Sequence, residues 1–251
     1  MSVYIAMWSG PRNISTALMR SFENRPDCYV SDEPFYAHFL HKTGVNHPMK
    51  DDVIAAGNTN WDRVVHEITG PIPNGKNIWY QKHMAQHNLP GFGLQWTEKV
   101  QNCLLIRHPK KVILSYSKKY EIKSIHQLGY HQLTELYQML HRKNGEPPIV
   151  LDSADVLSNP ESVLSLFCNK LGIPFCTEML SWPSGSRKTD GIWGQHWYNN
   201  VETSTQFQPY KVKKEVLPLN YQAIYDECMG HYQLLRSEEH TSELQSRPHL
   251  V

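Results

Sequence analysis

The first 22 residues limit the possible folds more than any other part of this sequence. Residues 3–8 (VYIAMW) form an unbroken apolar run of strand length, which is typical of a strand covered on both faces. Gly10 and Pro11 end the run, and from Asn13 onward apolar residues recur at every fourth position, which indicates a helix face. The chain therefore opens with a strand, a tight loop and a helix. In this arrangement, backbone N–H groups and the helix dipole favour a bound anion.

Strands and helices alternate along the rest of the chain. Further short apolar runs predict strands at residues 28–30, 78–81, 103–106 and 149–151. Pro109 suits the first turn of one following helix, and Asn159 with Pro160 forms the start of another, which Gly172 ends. The alternation predicts a three-layer α/β fold with a mostly parallel sheet, helices on both faces and the general form of P-loop nucleotide hydrolases. Ligands in such sheets bind at the C-terminal ends of the strands.

Several regions lie outside this alternation. Residues 44–75 are polar and rich in Gly, Pro and Asn, and a short helix is expected within them near residues 61–68. Residues 181–210 have a loop-like composition, and a final amphipathic helix is expected at 220–235. The segment 237–251 is polar, has no hydrophobic period and resembles the translation of a sequencing adapter. We therefore assign residues 1–236 to one α/β domain and interpret the rest as a non-native tail.

Composition excludes several classes of function. The net charge is +1, so no overall field attracts nucleic acid or an anionic membrane, and any anion site must be a local cluster. No apolar run approaches the roughly 20 residues of a membrane span, and no basic segment precedes the first strand as in a signal peptide. The five cysteines are an odd number without a CxxC pair, which favours neither a disulfide framework nor a zinc site. We expect a cytoplasmic protein, and the sequence leaves its oligomeric state open.

The loop after the first strand carries groups that bind anions. Arg12 supplies a fixed charge that can contact two oxygens of a phosphoryl or sulfuryl group, and Ser15 and Thr16 add hydroxyl donors. A Walker A loop would have Gly-Lys-Ser/Thr where this chain has Ser15, Thr16 and Ala17, so the Lys and the magnesium-binding hydroxyl are missing. Taken alone, the loop is equally compatible with a plain strand-to-helix turn with polar capping.

A second cationic element follows the strand predicted at 103–106. Arg107 stands at the C-terminal end of that strand, and Ser115 follows eight residues later on the next helix. A nucleotide triphosphatase would have an Asp at such a strand end to hold magnesium, whereas a cation accepts negative charge without a metal. We expect Arg12 and Arg107 to lie a nucleotide's length apart along one rim and to hold the two ends of one donor.

These elements resemble the donor site of the sulfotransferases that use 3′-phosphoadenosine 5′-phosphosulfate (PAPS). The loop P-R-N-I-S-T at residues 11–16 is similar to their 5′-phosphosulfate loop, and the Arg-x7-Ser element is similar to their 3′-phosphate site. The resemblance implies a PAPS-binding set in two parts: a 5′-phosphosulfate group of Arg12, Asn13, Ser15 and Thr16, and a 3′-phosphate pair of Arg107 and Ser115.

A third segment extends the resemblance. Residues 186–197 (SRKTDGIWGQHW) resemble the late R-K-G loop of the family, which implies nucleotide contacts from Arg187, Lys188 and Trp193. The sequence departs from the family pattern at Ile14 and Thr189, where the family has Gly. With this resemblance the expected function is transfer of a sulfonate group from PAPS to a hydroxyl or amine of a small-molecule acceptor, without a metal.

Transfer of this kind also needs a base. Like phosphoryl transfer, sulfuryl transfer depends on in-line positioning and preplaced positive charge, and a general base takes the acceptor proton. Glu33, which follows the second strand, is one candidate. His83 in QKHMAQHNLP is the other, because the segment resembles the K-x-H-L-P segment of the family, although His87 leaves the register open. If the register places Lys82 at the family Lys, it contacts the bridging oxygen of the leaving group.

Two other functions stay open at this point. Asp152 follows an apolar strand and suits a magnesium ion, which would fit a P-loop phosphotransferase of the kinase type. The second alternative is a module that binds adenosine bisphosphate without catalysis. The acceptor is undefined, and the aromatic residues that offer themselves as its lining, most of which are expected to be core, are Tyr36, Phe39, Trp61 and Trp79.

Overall fold

Five parallel strands form one sheet flanked by helices in the computed structural model, which describes residues 2–210 and 215–237. The strands are β1 (Val3–Ser9), β2 (Cys28–Asp32), β3 (Ile78–Met84), β4 (Gln101–Ile106) and β5 (Ile149–Asp152). Their order in the sheet is β2-β3-β1-β4-β5. The predicted α/β class with a parallel sheet is confirmed.

The α-helices of the described residues are α1 (Ser15–Glu23), α2 (Tyr36–Thr43), α3 (Lys50–Ala56), α4 (Trp61–Ile68), α5 (Pro109–Tyr116), α6 (Tyr130–Asn144), α7 (Ser153–Ser158), α8 (Pro160–Lys170), α9 (Gly194–Trp197), α10 (Asn199–Glu202) and α11 (Gln222–Ser237). Short 3-10 turns connect several of them, including one at Ile125–Leu128.

Local sequence signals explain several helix ends. Pro109 is the first residue of α5, where its missing N–H costs nothing. The Asn159 side chain accepts a hydrogen bond from the Ser162 N–H and caps α8, which begins at Pro160. Gly172 has φ 68° just beyond α8, the left-handed conformation that ends many helices. These three predictions are confirmed.

The described chain divides into two compact units. The first comprises the residues up to 7, residues 15–102 and residues 176–207, and the second comprises the other described residues, including 8–14 and 103–175. In the first unit, α1 packs against β2 and β3, and these strands are parallel with Asp32 opposite Lys82. In the second unit, α11 packs against α5 and α6, and β4 and β5 are parallel. In each strand pair, polar residues come at the C-terminal end, where α/β sheets bind ligands.

The structure also contains elements that the patterns did not predict. The 15-residue helix α6 and the helix α3 occupy stretches without an assignment, whereas the short helix expected near residues 61–68 is present as α4. Strand β3 extends three residues beyond its predicted end, so that Lys82 and His83 belong to the strand. Within the predicted tail, Ser237 ends α11, and residues 238–251 lie outside the described residues.

Candidate functional site

The loop between β1 and α1 has an unusual backbone conformation. Arg12 has φ 60° and Ile14 has φ 48°, in the left-handed region that residues other than Gly rarely adopt. Backbone strain of this kind clusters at functional sites, where the surrounding structure maintains it. At Ile14, where the resembled family has Gly, the backbone has the conformation that Gly adopts most easily.

Neighbouring backbone fixes the loop within the second unit. A Cβ atom at Gly10 would lie 2.2 Å from the carbonyl oxygen of Leu128, so no side chain fits there without a shift. The Asn13 side chain is buried, with its Nδ2 donating to the Leu105 carbonyl at 2.7 Å and its Oδ1 lying 3.0 Å from Ser153 Oγ. Asn13, expected to contact the donor, thus uses its amide to fasten the loop to β4.

Arg12, Arg107 and Ser115 form one cluster in this unit. Arg12 Nε donates to Ser115 Oγ at 2.9 Å, and Arg107 Nη1 donates to the Arg12 carbonyl oxygen at 2.7 Å. The hydroxyl of Tyr130 donates to the Arg107 carbonyl at 2.5 Å and holds the end of β4. The expectation of a nucleotide-length separation between Arg12 and Arg107 is therefore wrong, because the loop is bound directly to the end of β4.

The two arginines are half-buried cations without a carboxylate partner among the residues that the structure describes. Burial lowers the pKa of Arg12, and burial with the nearby charge of Arg12 lowers the pKa of Arg107. Both stay protonated, because guanidinium groups in proteins do not lose their proton. An anion would supply the missing counter-charge, so the cluster is suited to a phosphate or sulfate group.

Ser15 and Thr16 begin α1 in the first unit. Ser15 is buried and Thr16 is half-buried. Within the described part of the chain, neither side chain forms a hydrogen bond. Both hydroxyls are thus available beside the N–H groups of the first helical turn.

A buried ion network lies at the C-terminal ends of β2 and β3. Lys82 Nζ donates to Asp32 Oδ1 at 2.8 Å, to Glu33 Oε1 at 2.5 Å and to the Tyr198 hydroxyl at 2.8 Å. That hydroxyl donates to Asp32 Oδ2 at 2.7 Å and accepts from Trp193 Nε1 at 3.2 Å. A lysine ammonium has three N–H donors, so Lys82 has none left for the bridging oxygen of a donor. Its three bonds instead hold Glu33 and Asp32 in place.

The pKa values of Glu33 and Lys82 are both raised in this network, for different physical reasons. Burial raises the pKa of Glu33, and the Lys82 ammonium opposes that rise. Burial lowers the pKa of Lys82, but the charges of Asp32 and Glu33 outweigh burial, so the pKa of the ammonium lies well above its ordinary value. Glu33 also has φ 44°, with its N–H bonded to the Lys82 carbonyl at 2.9 Å. The result is a positioned carboxylate beside a permanent cation.

His83 lies inside β3 as a neutral imidazole. Its Nε2 is 3.2 Å from Gln81 Oε1, which only accepts, so Nε2 carries the proton. Gln81 Nε2 donates to the Ile68 carbonyl oxygen at 2.7 Å, and this bond fixes the orientation of the Gln81 amide. Burial, and then the charge of Lys82, lowers the pKa of His83 to about 3. His87 is also buried, and its ring stacks on other aromatic rings.

The segment that resembles the late R-K-G loop contacts α1. Arg187 Nε lies 3.6 Å from Glu23 Oε2, and Asp190 Oδ2 accepts from Arg20 Nη2 at 2.6 Å. The Arg187 N–H also donates to Asp190 at 2.7 Å. Lys188 is exposed to solvent. Of the three residues predicted here, Arg187 is thus paired with a carboxylate, whereas Trp193 belongs to the network around Lys82.

Asp152 has protein partners at both oxygens. Its Oδ1 accepts from the Ala154 N–H at 2.7 Å and caps α7, and its Oδ2 accepts from the Tyr232 hydroxyl at 2.5 Å and from Arg236. These bonds tie β5 to α11 and count against the magnesium role that the phosphotransferase alternative requires. In the described ranges, no group of three or more His, Cys, Asp or Glu residues has the arrangement of a metal site.

A sequence profile described as a sulfotransferase domain matches residues 3–237. This chain belongs to the sulfotransferase domain family. Two Arabidopsis thaliana proteins, the branched-chain-amino-acid aminotransferase-like proteins 2 and 1, are 34% identical over 243 residues and 35% identical over 245 residues. The alignments cover 96% and 97% of this chain but 43% and 44% of those relatives. The sulfotransferase chain thus spans less than half the length of the curated relatives it matches.

Solved structures share the fold of this chain at low identity. The sulfotransferase domain of the Synechococcus PCC 7002 olefin synthase has a TM-score of 0.58 at 16% identity, covering 92% of this chain and 95% of that domain. A sulfotransferase from Alicyclobacillus acidocaldarius has a TM-score of 0.53 at 11% identity, with 98% and 99% coverage. In the described part of the sulfotransferase, no helix has both the length and the apolarity needed to cross a membrane.

Sequence patterns missed two members of the network around Lys82, Asp32 and Tyr198. Asp32 ends an apolar strand, so its position carried a usable signal. Tyr198 carried none, because it lies 116 residues from Lys82 in the sequence. The four aromatic residues considered as an acceptor lining lie in two groups. Trp61 and Trp79 are in the packed core, where Trp61 stacks on Phe35 at 4.1 Å and Trp79 donates to Ser31 Oγ at 2.8 Å. Tyr36 and Phe39 instead stack on His87.

Proposed function

We propose that this sulfotransferase transfers a sulfonate group from PAPS to a hydroxyl or amine of a small-molecule acceptor. The observation that carries the proposal is the contact between Arg12 and Arg107, two half-buried cations without a carboxylate partner in the described ranges. Such guanidinium groups suit a donor with phosphate groups on two sides of one ribose. A magnesium-bound triphosphate would instead call for a carboxylate at the end of β4, where Arg107 stands.

The proposed donor site has two parts, one at the loop and helix start that follow β1 and one at the end of β4 and on α5. Arg12, with Ser15 and Thr16 that follow it in the sequence, is assigned to the 5′-phosphosulfate, and Arg107 with Ser115 to the 3′-phosphate. The hydrogen bond between Arg12 and Ser115, together with that from Arg107 to the Arg12 carbonyl, supports one anion site for these three residues.

The remaining predicted donor contacts have secondary roles in this proposal. Asn13 positions the loop through its bond to Leu105. Arg187 and Lys188 stay proposed nucleotide contacts, and Arg187 would exchange its ion pair with Glu23 for a phosphate. Trp193 is assigned to the acceptor side, because its Nε1 bonds Tyr198.

Glu33 is the proposed general base. Its Oε1 accepts from Lys82, and its Oε2 makes no hydrogen bond within the described part of the chain. A raised pKa improves a carboxylate as a base, whereas the pKa of about 3 makes His83 a weak one. Lys82 is a positioning residue in this scheme.

The transfer step follows from these roles. The acceptor oxygen or nitrogen forms a bond to sulfur while the sulfur–oxygen bond to the 5′-phosphate breaks. The electron pair of the broken bond leaves with adenosine 3′,5′-bisphosphate, and the acceptor proton passes to Glu33. The positive charges of Arg12 and Arg107 stabilise the charge that develops on the departing nucleotide.

Transfer of ³⁵S from labelled PAPS tests the proposal. The wild-type protein is incubated with a panel of alcohols, phenols and amines in the presence of EDTA. We expect a labelled product with one equivalent of adenosine 3′,5′-bisphosphate. Nucleotide binding without any labelled product would favour the non-catalytic module, and phosphoryl transfer from labelled ATP that EDTA abolishes would favour the phosphotransferase.

Partners and location follow the same proposal. A small-molecule acceptor is the only partner that the site chemistry calls for. We also propose the cytoplasm as the location, which the five unpaired cysteines support, since disulfides are rare in that compartment.

A further inference from the structure

A third cation lies beside the Arg12–Arg107 cluster. Lys111 is in the first turn of α5, four residues after Arg107 and four residues before Ser115. Residues four apart lie on the same side of a helix, so Lys111 stands on the side of α5 that carries Ser115. Ser115 accepts the hydrogen bond from Arg12 Nε at 2.9 Å, so this side of α5 is next to the cluster.

The position of Lys111 matches the extent of the proposed 3′-phosphate site. Arg107 comes just before α5, and Ser115 is in the second turn of the helix. A phosphate group that contacts both side chains therefore lies alongside the first turn, where Lys111 is the residue between them on the same side. The three residues form one row along this side of the helix.

The charge of a 3′-phosphate exceeds the charge assigned to bind it. A phosphate monoester carries about 1.5 to 2 negative charges at pH 7, so a single guanidinium leaves roughly half of that charge without a partner. Arg107 is the only cation assigned to this phosphate, because Ser115 is neutral. Since the transfer of an uncompensated charge into a half-buried site is unfavourable, the site calls for a second cation.

The resting partner of Lys111 is weak enough to be displaced. Lys111 Nζ lies 3.4 Å from Glu215 Oε2, farther than the roughly 2.7–2.9 Å of a strong hydrogen bond between charged groups. The Lys111 side chain is 18% exposed and that of Glu215 is 31% exposed. Ion pairs that water reaches contribute little stability, so a phosphate with more charge than one carboxylate can replace Glu215.

Lys110 has the same charge as Lys111 but faces a different side of α5. Successive residues of a helix are rotated by about 100°, so the two lysines do not point in the same direction. Both act on the half-buried His108. Burial lowers the pKa of His108, the charge of Asp152 raises it, and the charges of Lys110 and Lys111 lower it. Both lysines thus contribute to the positive potential at the start of α5, and they differ in the direction they face.

We propose that Lys111 is a third cation of the donor site, which binds the 3′-phosphate with Arg107 and Ser115 and releases Glu215 when it does so. The inference rests on the proposed function and adds one donor-binding residue and one competing carboxylate to it. Glu215 lowers the affinity for the donor in this scheme, because its ion pair with Lys111 has to break before the phosphate binds.

The test compares adenosine 3′,5′-bisphosphate with adenosine 5′-monophosphate, which lacks only the 3′-phosphate. Titration calorimetry measures both dissociation constants at about 0.15 M salt, where exposed charges more than about 8 Å apart are largely screened. The proteins are the wild type, Lys111→Met, the matched control Lys110→Met, Glu215→Gln and the double variant Lys111→Met with Glu215→Gln. Methionine has nearly the helix propensity of lysine, and Lys111→Gln repeats the comparison if the Met variant does not fold.

We expect Lys111→Met to weaken binding of the bisphosphate by about tenfold, as the loss of one hydrogen bond between charged groups does. Its affinity for the monophosphate, and both affinities of Lys110→Met, stay within about twofold of wild type. Glu215→Gln binds the bisphosphate about 2- to 5-fold more tightly, which is the free energy of a partly exposed ion pair. In the double variant, Glu215→Gln has no further effect, because its partner is already gone.

Equal losses in Lys111→Met and Lys110→Met would overturn the inference, because the effect would then come from overall charge. Unchanged or weaker binding of the bisphosphate by Glu215→Gln would also contradict it. A wild-type protein without a preference for the bisphosphate would refute the donor assignment and the role of Lys111 with it. A wild-type preference that persists in Lys111→Met would refute the role of Lys111 alone.

Discussion

At the scale of single residues, the proposed donor site depends on two cations that form no ion pair with a carboxylate among the described residues. We predict that Arg12→Ala and Arg107→Ala each lower kcat/KM for PAPS by about 10²-fold, as does loss of one preorganised contact at an oxyanion site. Arg107→Lys keeps the charge but loses the planar guanidinium group, so its kcat/KM lies between those of the wild-type protein and Arg107→Ala. Initial rates of ³⁵S transfer measure all three. Arg142→Ala, on the exposed face of α6, is the control. Wild-type rates in both Ala variants would rule out this donor site.

The proposed base makes a prediction about pH. Glu33→Gln lowers kcat by about 10²- to 10⁴-fold, the usual contribution of general-base catalysis, and leaves nucleotide affinity unchanged. Activity of the wild-type protein rises with pH through the pKa of Glu33, because the base acts when deprotonated. Since burial raises that pKa, the acid limb lies above the ordinary glutamate value. Rate profiles between pH 4 and 8, a range of about four units, measure the limb. An active Glu33→Gln together with an inactive His83→Gln would transfer the role to His83.

Residue chemistry was predictable where it depends on local context. Arg12 and Arg107 follow apolar strands, and parallel strands carry their ligand sites at those ends. The pairing of Lys82 was not predictable, because one of its partners lies 116 residues away and only the fold brings them together. Lys82 was expected to contact the sulfonate donor, but its three hydrogen bonds within the protein instead hold the Glu33 carboxylate in place.

At the scale of elements, the parallel pairing of β2 with β3 places Asp32 opposite Lys82. The stability of these strand ends therefore depends on the buried ion pairs of Lys82. We predict that Lys82→Met lowers the free energy of unfolding by about 3–5 kcal/mol at pH 7.5, because it leaves two buried carboxylates unpaired. The loss shrinks as pH falls through the pKa of Glu33, which burial raises, because protonation of Glu33 removes one of the two buried charges. Urea unfolding measures both effects, with exposed Lys118→Met as the control. A loss below about 1 kcal/mol, as for an exposed pair, would contradict the network.

Two glycines give opposite predictions for the elements of the second unit. Gly10→Ala places a Cβ atom 2.2 Å from the Leu128 carbonyl oxygen and should cost about 1–3 kcal/mol, as overpacking does. Gly230→Ala lies in α11 with nothing within 4 Å of its Cβ, so it should stabilise the protein by about 0.5–1 kcal/mol. Urea unfolding of both variants measures the two changes. Equal effects would mean that the loop is not held against Leu128.

Elements with strong local signals were predicted, and those with weak ones were not. The caps of α5 and α8 lie next to their helices in sequence. Helix α6 buries Leu133, Leu136 and Leu140 at helical spacing, but it begins after Gly129 at φ 77° without a side-chain cap. Its start thus lacks the polar residue that marks most helix beginnings.

At the scale of the whole molecule, the alternation of strands and helices was sufficient to predict the α/β class. The strand order β2-β3-β1-β4-β5 was not predicted, because chain connections restrict the possible orders without selecting one. The two compact units also lack a linker signal, since the second includes residues 8–14 from inside the N-terminal stretch. An interleaved division of this kind leaves no boundary that composition can mark.

The central claim is that the Arg12–Arg107 cluster recognises a nucleotide with phosphates at both the 3′ and 5′ positions. Titration calorimetry with adenosine 3′,5′-bisphosphate and its isomer adenosine 5′-diphosphate tests this directly, because the two compounds differ only in where the second phosphate is attached. We predict that the wild-type protein binds the 3′,5′-isomer at least about tenfold more tightly than the 5′-diphosphate, because one hydrogen bond between charged groups changes Kd by about that factor. Arg107→Ala loses this preference. Equal affinity of the wild-type protein for both isomers would contradict the account.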